Sequence, residues 1–232
     1  MPNKDLKETS KVVAARAALD FLSPNQNVGI GSGTTIQWLI NLLPESGINN
    51  LNLVPSSLDS LIKLQNIDNK NFNIIDLPSK GLDITIDGAD RVNPEKQCVK
   101  GGGGALTREK ILREASAEFI LVVSAEKVIP QLPMFPIAVE ILPFGWKHTI
   151  KRLESFGKVS LRLAKSKLGP IISDNHNYIV DIDLGNHCLT PDEVQSLEKQ
   201  LNMFPGVIEN GLFSRTADKV IVGHDSGRIT KF

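Results

Sequence analysis

Three short stretches hold the residues that could do chemistry. In KGGGGALTREK, Lys100 stands before Gly101, Gly102, Gly103 and Gly104, and Thr107, Arg108 and Glu109 fall in the first turns of a helix-patterned segment. Glycine costs backbone entropy and packs no core, so a run of four points to something that must come close to the chain. Amides of such a run near a helix start make an electropositive nest suited to an oxyanion. Lys100 adds a positive charge, and Glu109 could serve as a base. Arg108, Glu109 and Lys110 would equally suit a solvated helix face.

In DITIDGAD, Asp87 and Asp90 flank Gly88 and Ala89 just past an apolar run. Acids this close can hold polyol hydroxyls, bind a metal or shuttle protons. A turn in which Asp caps the backbone uses the same letters. Asp83, earlier in the run, reads as a strand-entry residue. In GIGSGTT, Ser32, Gly33, Thr34 and Thr35 offer amides and hydroxyls to a phosphate at a helix start. No Gly-Lys-Ser/Thr follows, so this is not a P-loop, and it only brushes the dinucleotide fingerprint. A plain strand-to-helix turn would look the same.

Lys11 and Lys127 could each reach a phosphate, although exposed lysines are usually just solvated. The cationic GWKHTIKR could close over a ligand or line a surface. His148, His176, His187 and His224 show no ligand spacing, and no metal is expected.

These stretches need strands and helices to position them. Val12, Ala15, Leu19 and Leu22 recur at helical spacing, which predicts a helix over 5–22. A strand at Val28–Ile30 and a helix over 35–43 follow. NLNLVPSS is a strand leading into the helix SLDSLIKLQN, and NFNIIDL and LDITIDGAD hold two more strands. LTREKILREASAEF reads as a helix and FILVVSAEK as a buried strand. Strands alternating with helices predict a parallel sheet with right-handed crossovers.

From Pro130 the character changes. Pro130, Pro133, Pro136 and Pro143 favour edge strands and turns over a helix. A helix (146–156), strands at 158–163 and YIVDIDL, a helix from TPDEVQSLEKQL and a strand near GVIENGLF follow. This β-α-β-β-α-β order predicts a ferredoxin-like unit. RTADKVIVGHDSGRITKF reads as a strand returning to the main sheet, then a tail. The expected fold is α/β, a Rossmann-like, mainly parallel sheet flanked by helices, with a smaller α+β domain. The boundaries fall at 1–130 plus 208–232 for the larger, catalytic domain and 131–207 for the smaller.

The whole chain has 232 residues, 41% hydrophobic and 22% charged, ordinary for a globular protein. Its 26 basic and 26 acidic side chains give no charge argument for nucleic acid or an anionic membrane as partner. Cys98 and Cys188 match no metal spacing and are too few for a disulfide framework, which fits a reduced, cytoplasmic setting. The charged N-terminus lacks a signal-type apolar core, and no stretch nears the roughly 18 apolar residues of a membrane span.

Taken together, these residues resemble ribose-5-phosphate isomerase of the A type. The match runs in order through AALDFLSPNQNVGIGSGTT, VPSS, ITIDGADRVNP, VKGGGGALTREKIL, FILVVSAEKV, FPIAVEILPFGW, DNHNYIVDI and FPGVIENGLF, essentially the whole chain. The D-G-A-D and K-G-G-G-x-A-L-T-R-E-K strings are specific to that family. The resemblance implies interconversion of ribose 5-phosphate and ribulose 5-phosphate in the pentose phosphate pathway, with no metal or organic cofactor and with assembly as a homodimer or homotetramer. By position, Glu109 matches the family's base and Asp87, Asp90 and Lys100 its sugar-contacting groups. Ser32 to Thr35 and Gly101 to Gly103 complete the pocket, and Lys11 and Lys127 help bind substrate. Two departures are small. Ser32 and Thr34 exchange hydroxyl types against the usual G-T-G-S-T loop, and Gly104 stands where alanine is common.

Such an isomerase needs one base with access to C1 and C2 and a partner for the enediolate oxygen. Other readings are a non-catalytic sugar-phosphate sensor, which could dispense with the base, or acyl-CoA transfer using a nucleophilic glutamate. A nicotinamide oxidoreductase would want an acid about 20 positions beyond the last glycine, and NLVPSS has none.

Overall fold

Short apolar runs closed by glycine or asparagine become strands, and the 3.6-periodic segments between them become helices. The structure, a computed structural model, describes residues 10–67, 71–133, 135–166 and 168–232. In chain order the elements begin with α1 (Ser10–Ala18), β1 (Asn27–Ile30), α2 (Thr34–Leu42), β2 (Leu51–Pro55), α3 (Leu58–Gln65), β3 (Phe72–Ile74) and β4 (Leu82–Asp87). Next come β5 (Arg91–Val92), β6 (Cys98–Val99), α4 (Leu106–Ala115), β7 (Ser116–Ser124), β8 (Ile137–Ile141), α5 (Trp146–Leu153) and β9 (Lys158–Leu161). The chain closes with β10 (Tyr178–Asp183), α6 (Pro191–Asn202), β11 (Val207–Asn210), β12 (Leu212–Phe213), β13 (Lys219–Gly223) and β14 (Ile229–Lys231).

The described residues fall into two compact units. The first holds the chain through Gly88, Ala115–Val128 and Ala217–Phe232; the second holds Ala89–Glu114 and Ile129–Thr216. The expected larger domain includes 89–130 and 208–232, whereas the compact units group 89–114, 129–130 and 208–216 with the second.

The first unit is built on a seven-stranded sheet of order β14-β13-β7-β4-β1-β2-β3, parallel throughout except for β13 with β14. All four residues of β1 and five of six in β4 are buried, the continuous burial expected of a parallel sheet covered on both faces. Val28, Ile30, Ile84, Ile86, Ile120 and Val122 form the core with Ala14 and Ala18 of α1 and Ile36, Leu39 and Ile40 of α2. Each fully buried Val, Ile or Leu side chain there contributes about 1.5–3 kcal/mol. The predicted Rossmann-like sheet is present. Within the expected 5–22 helix, the described part is α-helical to Ala18 and continues as a 3₁₀ turn, Leu19–Phe21; positions 5–9 lie outside the described residues.

The second unit contains an antiparallel sheet of order β11-β8-β10-β9, connected β8-α5-β9-β10-α6-β11, which is the predicted ferredoxin-like arrangement. α6 starts with a capping box: the Thr190 hydroxyl accepts from the Glu193 amide, and the Glu193 carboxylate accepts from the Thr190 amide. A small sheet, β12-β6-β5, completes the unit.

Four expectations are corrected. β8 is an internal strand, because Pro136 and Pro143 flank it and leave its amides free to pair with both neighbours. The helix predicted to run on through 119 stops at Ala115; Ser116 pairs opposite Leu82, its hydroxyl bonds that of Thr85 at 2.6 Å, and sheet pairing overrides local propensity. The expected tail folds back as β14 on β13. β5 and β6 had no counterpart among the expected elements, and the strand expected near GVIENGLF divides into β11 and β12, the latter pairing with β6.

Candidate active site

In the first unit, parallel pairing sets Ile30 of β1 opposite Ile86 of β4, so both strands end at one sheet edge. Gly31 leaves β1 and donates its N–H to the Ile86 carbonyl at 3.0 Å. Asp87, the last residue of β4, is fully buried. Its Oδ1 accepts from the Ser32 amide at 3.2 Å and the Gly88 amide at 2.7 Å. The Ser60 hydroxyl, in the first turn of α3, donates to the Gly31 carbonyl at 2.6 Å and ties α3 to the loop.

Gly33, at φ +96°, turns the chain into α2, which starts at Thr34. The first amides of a helix have no partner within it, and the helix dipole favours an anion there. Lys11, near the start of α1, donates from Nζ to the Thr34 hydroxyl at 2.9 Å. Ser32, Thr34, Thr35 and Lys11 therefore share one helix N-terminus, a suitable seat for a phosphate.

Lys127 ends the 3₁₀ turn Ala125–Lys127 that follows β7. Beside it, burial pushes the Glu126 carboxyl up, but other effects outweigh that push. A hydrogen bond from Ser124, Glu126's own amide and the charges of Lys127 and Lys11 hold its pKa below the ordinary value. Lys11 and Lys127 thus act on one shared carboxylate.

In the second unit, Lys100 follows β6 and donates its amide to the Gly211 carbonyl at 2.9 Å. The Gly104 amide closes a turn on the Gly101 carbonyl at 3.0 Å, and α4 begins two residues later. Glu109 comes round on α4 so that its Oε1 lies 3.3 Å from Lys100 Nζ. The two side chains are 5% and 3% exposed. Lys100 Nζ also sits 5.8 Å from the Phe213 ring centroid. A buried ion pair is weak support for a fold, because desolvation offsets the attraction. Beside a glycine turn, such a carboxylate and ammonium could offer a base and a charge partner to a bound anion. Asp90 accepts the Gly102 amide at 2.7 Å.

The neighbours of Glu109 are anchored rather than solvated. Arg108 donates to the Asn175 side-chain carbonyl and the Asp174 backbone carbonyl, at 2.8 and 2.7 Å. Lys110 meets Glu198 at 2.6 Å and Glu209 at 2.8 Å. Thr107 donates to Glu140, a fully buried carboxylate that also accepts from Ser173, Asn175 and Asn177. The solvated-face reading of this segment is therefore set aside.

The structure gathers Lys11, Ser32, Gly33, Thr34, Thr35, Asp87, Gly88 and Lys127 in the first unit. Ala89, Asp90, Lys100, Gly101, Gly102, Gly103 and Glu109 belong to the second. Sequence reasoning missed Glu126, Glu140 and Arg162, whose partnerships are described here and below. Glu126 and Glu140 stood within the quoted stretches FILVVSAEKV and FPIAVEILPFGW, but with no role assigned to them, and Arg162 stood in none. Among the described residues, no group of three or more His, Cys, Asp or Glu side chains is arranged to hold a metal, and no helix is long and apolar enough to cross a membrane.

Fold and side chains define an α/β protein with an acid–lysine pair and a glycine-rich turn into a helix. Within that class, the model for ribose 5-phosphate isomerase A (phosphoriboisomerase A) matches residues 52–227, and the chain belongs to this family. It is 39% identical to ribose-5-phosphate isomerase A of Archaeoglobus fulgidus, over 98% of this chain and 100% of the relative. The Bacillus mycoides enzyme is 38% identical over 94% of this chain and 96% of its own. A solved D-ribose-5-phosphate isomerase in complex with phospho-erythronic acid superposes with a TM-score of 0.86 at 34% identity, covering 96% of each chain. The Methanocaldococcus jannaschii structure gives 0.85 at 32% identity, over 96% of this chain and 97% of that one.

Proposed function

We propose that the protein interconverts D-ribose 5-phosphate and D-ribulose 5-phosphate through an enediolate, with Glu109 moving the proton between C2 and C1. The observation that carries this is the buried Glu109–Lys100 contact at the end of the glycine run. As a carboxylate Glu109 takes the C2 proton; as the acid it returns it to C1. Lys100 and the loop amides stabilise the oxygen that gains charge. The residues Ser32 to Thr35, with Lys11 and Lys127, hold the phosphate, whose binding energy positions the reacting carbons. Asp87 and Asp90 handle hydroxyl protons, including those of ring opening.

Isomerisation leaves the sugar's electron count unchanged, so it calls for no redox partner. The relative solved with phospho-erythronic acid supports the substrate class: that ligand joins a phosphate to a carboxylate, an anion comparable to an enediolate. A sugar-phosphate sensor would have no use for a buried base. Cytoplasmic location, a place in the non-oxidative pentose phosphate pathway and assembly as a homodimer or homotetramer belong to the same proposal. Incubation with ribose 5-phosphate in D₂O, followed by NMR, tests it. Ribulose 5-phosphate with deuterium at C1 is expected, and unchanged substrate would refute it.

A further inference from the structure

Arg162 follows β9, and its backbone N–H donates to the Ile179 carbonyl of β10 at 2.9 Å. Asp181 of β10 holds the guanidinium from one side. Nε donates to Oδ2 at 2.8 Å, and Nη2 pairs with Oδ1. The remaining Nη1 donates to the Gly101 carbonyl at 2.6 Å and approaches that of Gly102 at 3.4 Å. One planar, rigid fork therefore joins a carboxylate to two loop carbonyls, which a lysine ammonium cannot reproduce.

The same loop is gripped from its other side. The Gly102 N–H donates to Asp90 Oδ2 at 2.7 Å. In a trans peptide the C=O and N–H point in opposite directions. Arg162 on the oxygen and Asp90 on the nitrogen thus fix the plane of the Gly101–Gly102 peptide. By the same geometry, drawing the Gly102 carbonyl toward Arg162 aims the Gly103 N–H away from it. A Cβ built on Gly103 meets no heavy atom within 4 Å, so open space adjoins this part of the loop. Glycines without such restraint would sample many orientations.

We infer that Arg162, oriented by Asp181, is a positioning residue that aims the amides of the glycine loop, Gly103 above all, at the oxygen that becomes negative during the reaction. This rests on the reading of the loop as the oxyanion-stabilising part of the site. Arg162 touches no reacting atom; it acts through the backbone it holds.

The test uses two variants of the full chain. Arg162→Lys keeps a cation beside Asp181 but loses the fork. Its kcat is expected to fall at least about tenfold, below the full cost of a lost oxyanion donor, while KM changes less than about threefold. Arg162→Met/Asp181→Leu removes both charges, so neither is left without its partner. It should melt within about 5 °C of the parent and show the same fall in kcat. Parental kcat in either folded variant overturns the inference, as does an effect confined to KM. If the double variant does not fold, Arg162→Lys alone decides. Glu109→Gln, assayed alongside, separates the two levels: full turnover there removes the site reading, whereas an inactive Glu109→Gln beside an unaffected Arg162→Lys removes this inference alone.

Discussion

The carboxyl group of Asp87 occupies the space that a side chain at Gly31 would need. Gly31 follows β1 and Asp87 ends β4, and these strands are parallel neighbours, so the glycine lets a buried acid stand at this edge. Gly31→Ala is expected to destabilise the protein by about 1–3 kcal/mol, the cost of overpacking a dense interior. It should also lower kcat by displacing Asp87. Urea unfolding with a parallel activity assay checks both, and parental stability would contradict the packing.

The glycines of the 101–104 run are not equivalent. Gly101 has φ +106°, and a Cβ there would lie 2.7 Å from that of Ala138. Gly103 has neither constraint. Gly101→Ala should therefore cost about 1–3 kcal/mol, and Gly103→Ala less than about 0.5 kcal/mol. Any loss of turnover in Gly103→Ala must then come from crowding the substrate. Thermal melts beside kcat and KM decide, and a strongly destabilised Gly103→Ala would contradict the account.

Glu140 holds the first turn of α4 through Thr107, and the segment 173–177 through Ser173, Asn175 and Asn177. Glu140→Gln keeps the shape but turns an NH₂ group toward donors. A loss of about 2–3 kcal/mol follows from buried donors left without acceptors, with a lower kcat because Thr107 and Glu109 share a helix. Urea unfolding of the variant measures the first effect, and unchanged stability would sink the hub role.

The depressed pKa of Glu126 makes its contribution pH-dependent. The folded value lies below the ordinary 4.5, so the stabilisation is fully present above about pH 4.5 and disappears as pH falls through the folded pKa. Glu126→Gln should be less stable than the parent at pH 7, with the gap closing in acid below that window. Unfolding curves at pH 7 and at stepped acid pH test the sign; a gap that widened in acid would refute it.

Much of the site was legible because the informative residues are neighbours in sequence. The apolar run of β4 ends in Asp87, and the interval from Lys100 to Glu109 spans a glycine turn and one helical turn, so local pattern places each of them. Glu140 and Arg162 were not legible. Their partners, Thr107 and Gly101, lie 33 and 61 residues away, and nothing local marks a buried carboxylate as a hub or an arginine as a clamp. Elements followed the same division. β1 and β4 read clearly from apolar content, whereas β5, β6 and β12 are two residues long and exist only through pairing. Ser116 shows the limit at a boundary: an Ala- and Glu-rich stretch reads as helix until its pairing with β4 is known.

The kinetics of Glu109→Gln test the central claim most directly. The amide keeps the shape of the side chain and cannot accept the proton from C2. With the protein folded, kcat for ribose 5-phosphate should drop by at least roughly 10²-fold, the scale for a positioned acid–base group, while KM changes little. Turnover near the parental value would contradict the assignment of Glu109 as the base.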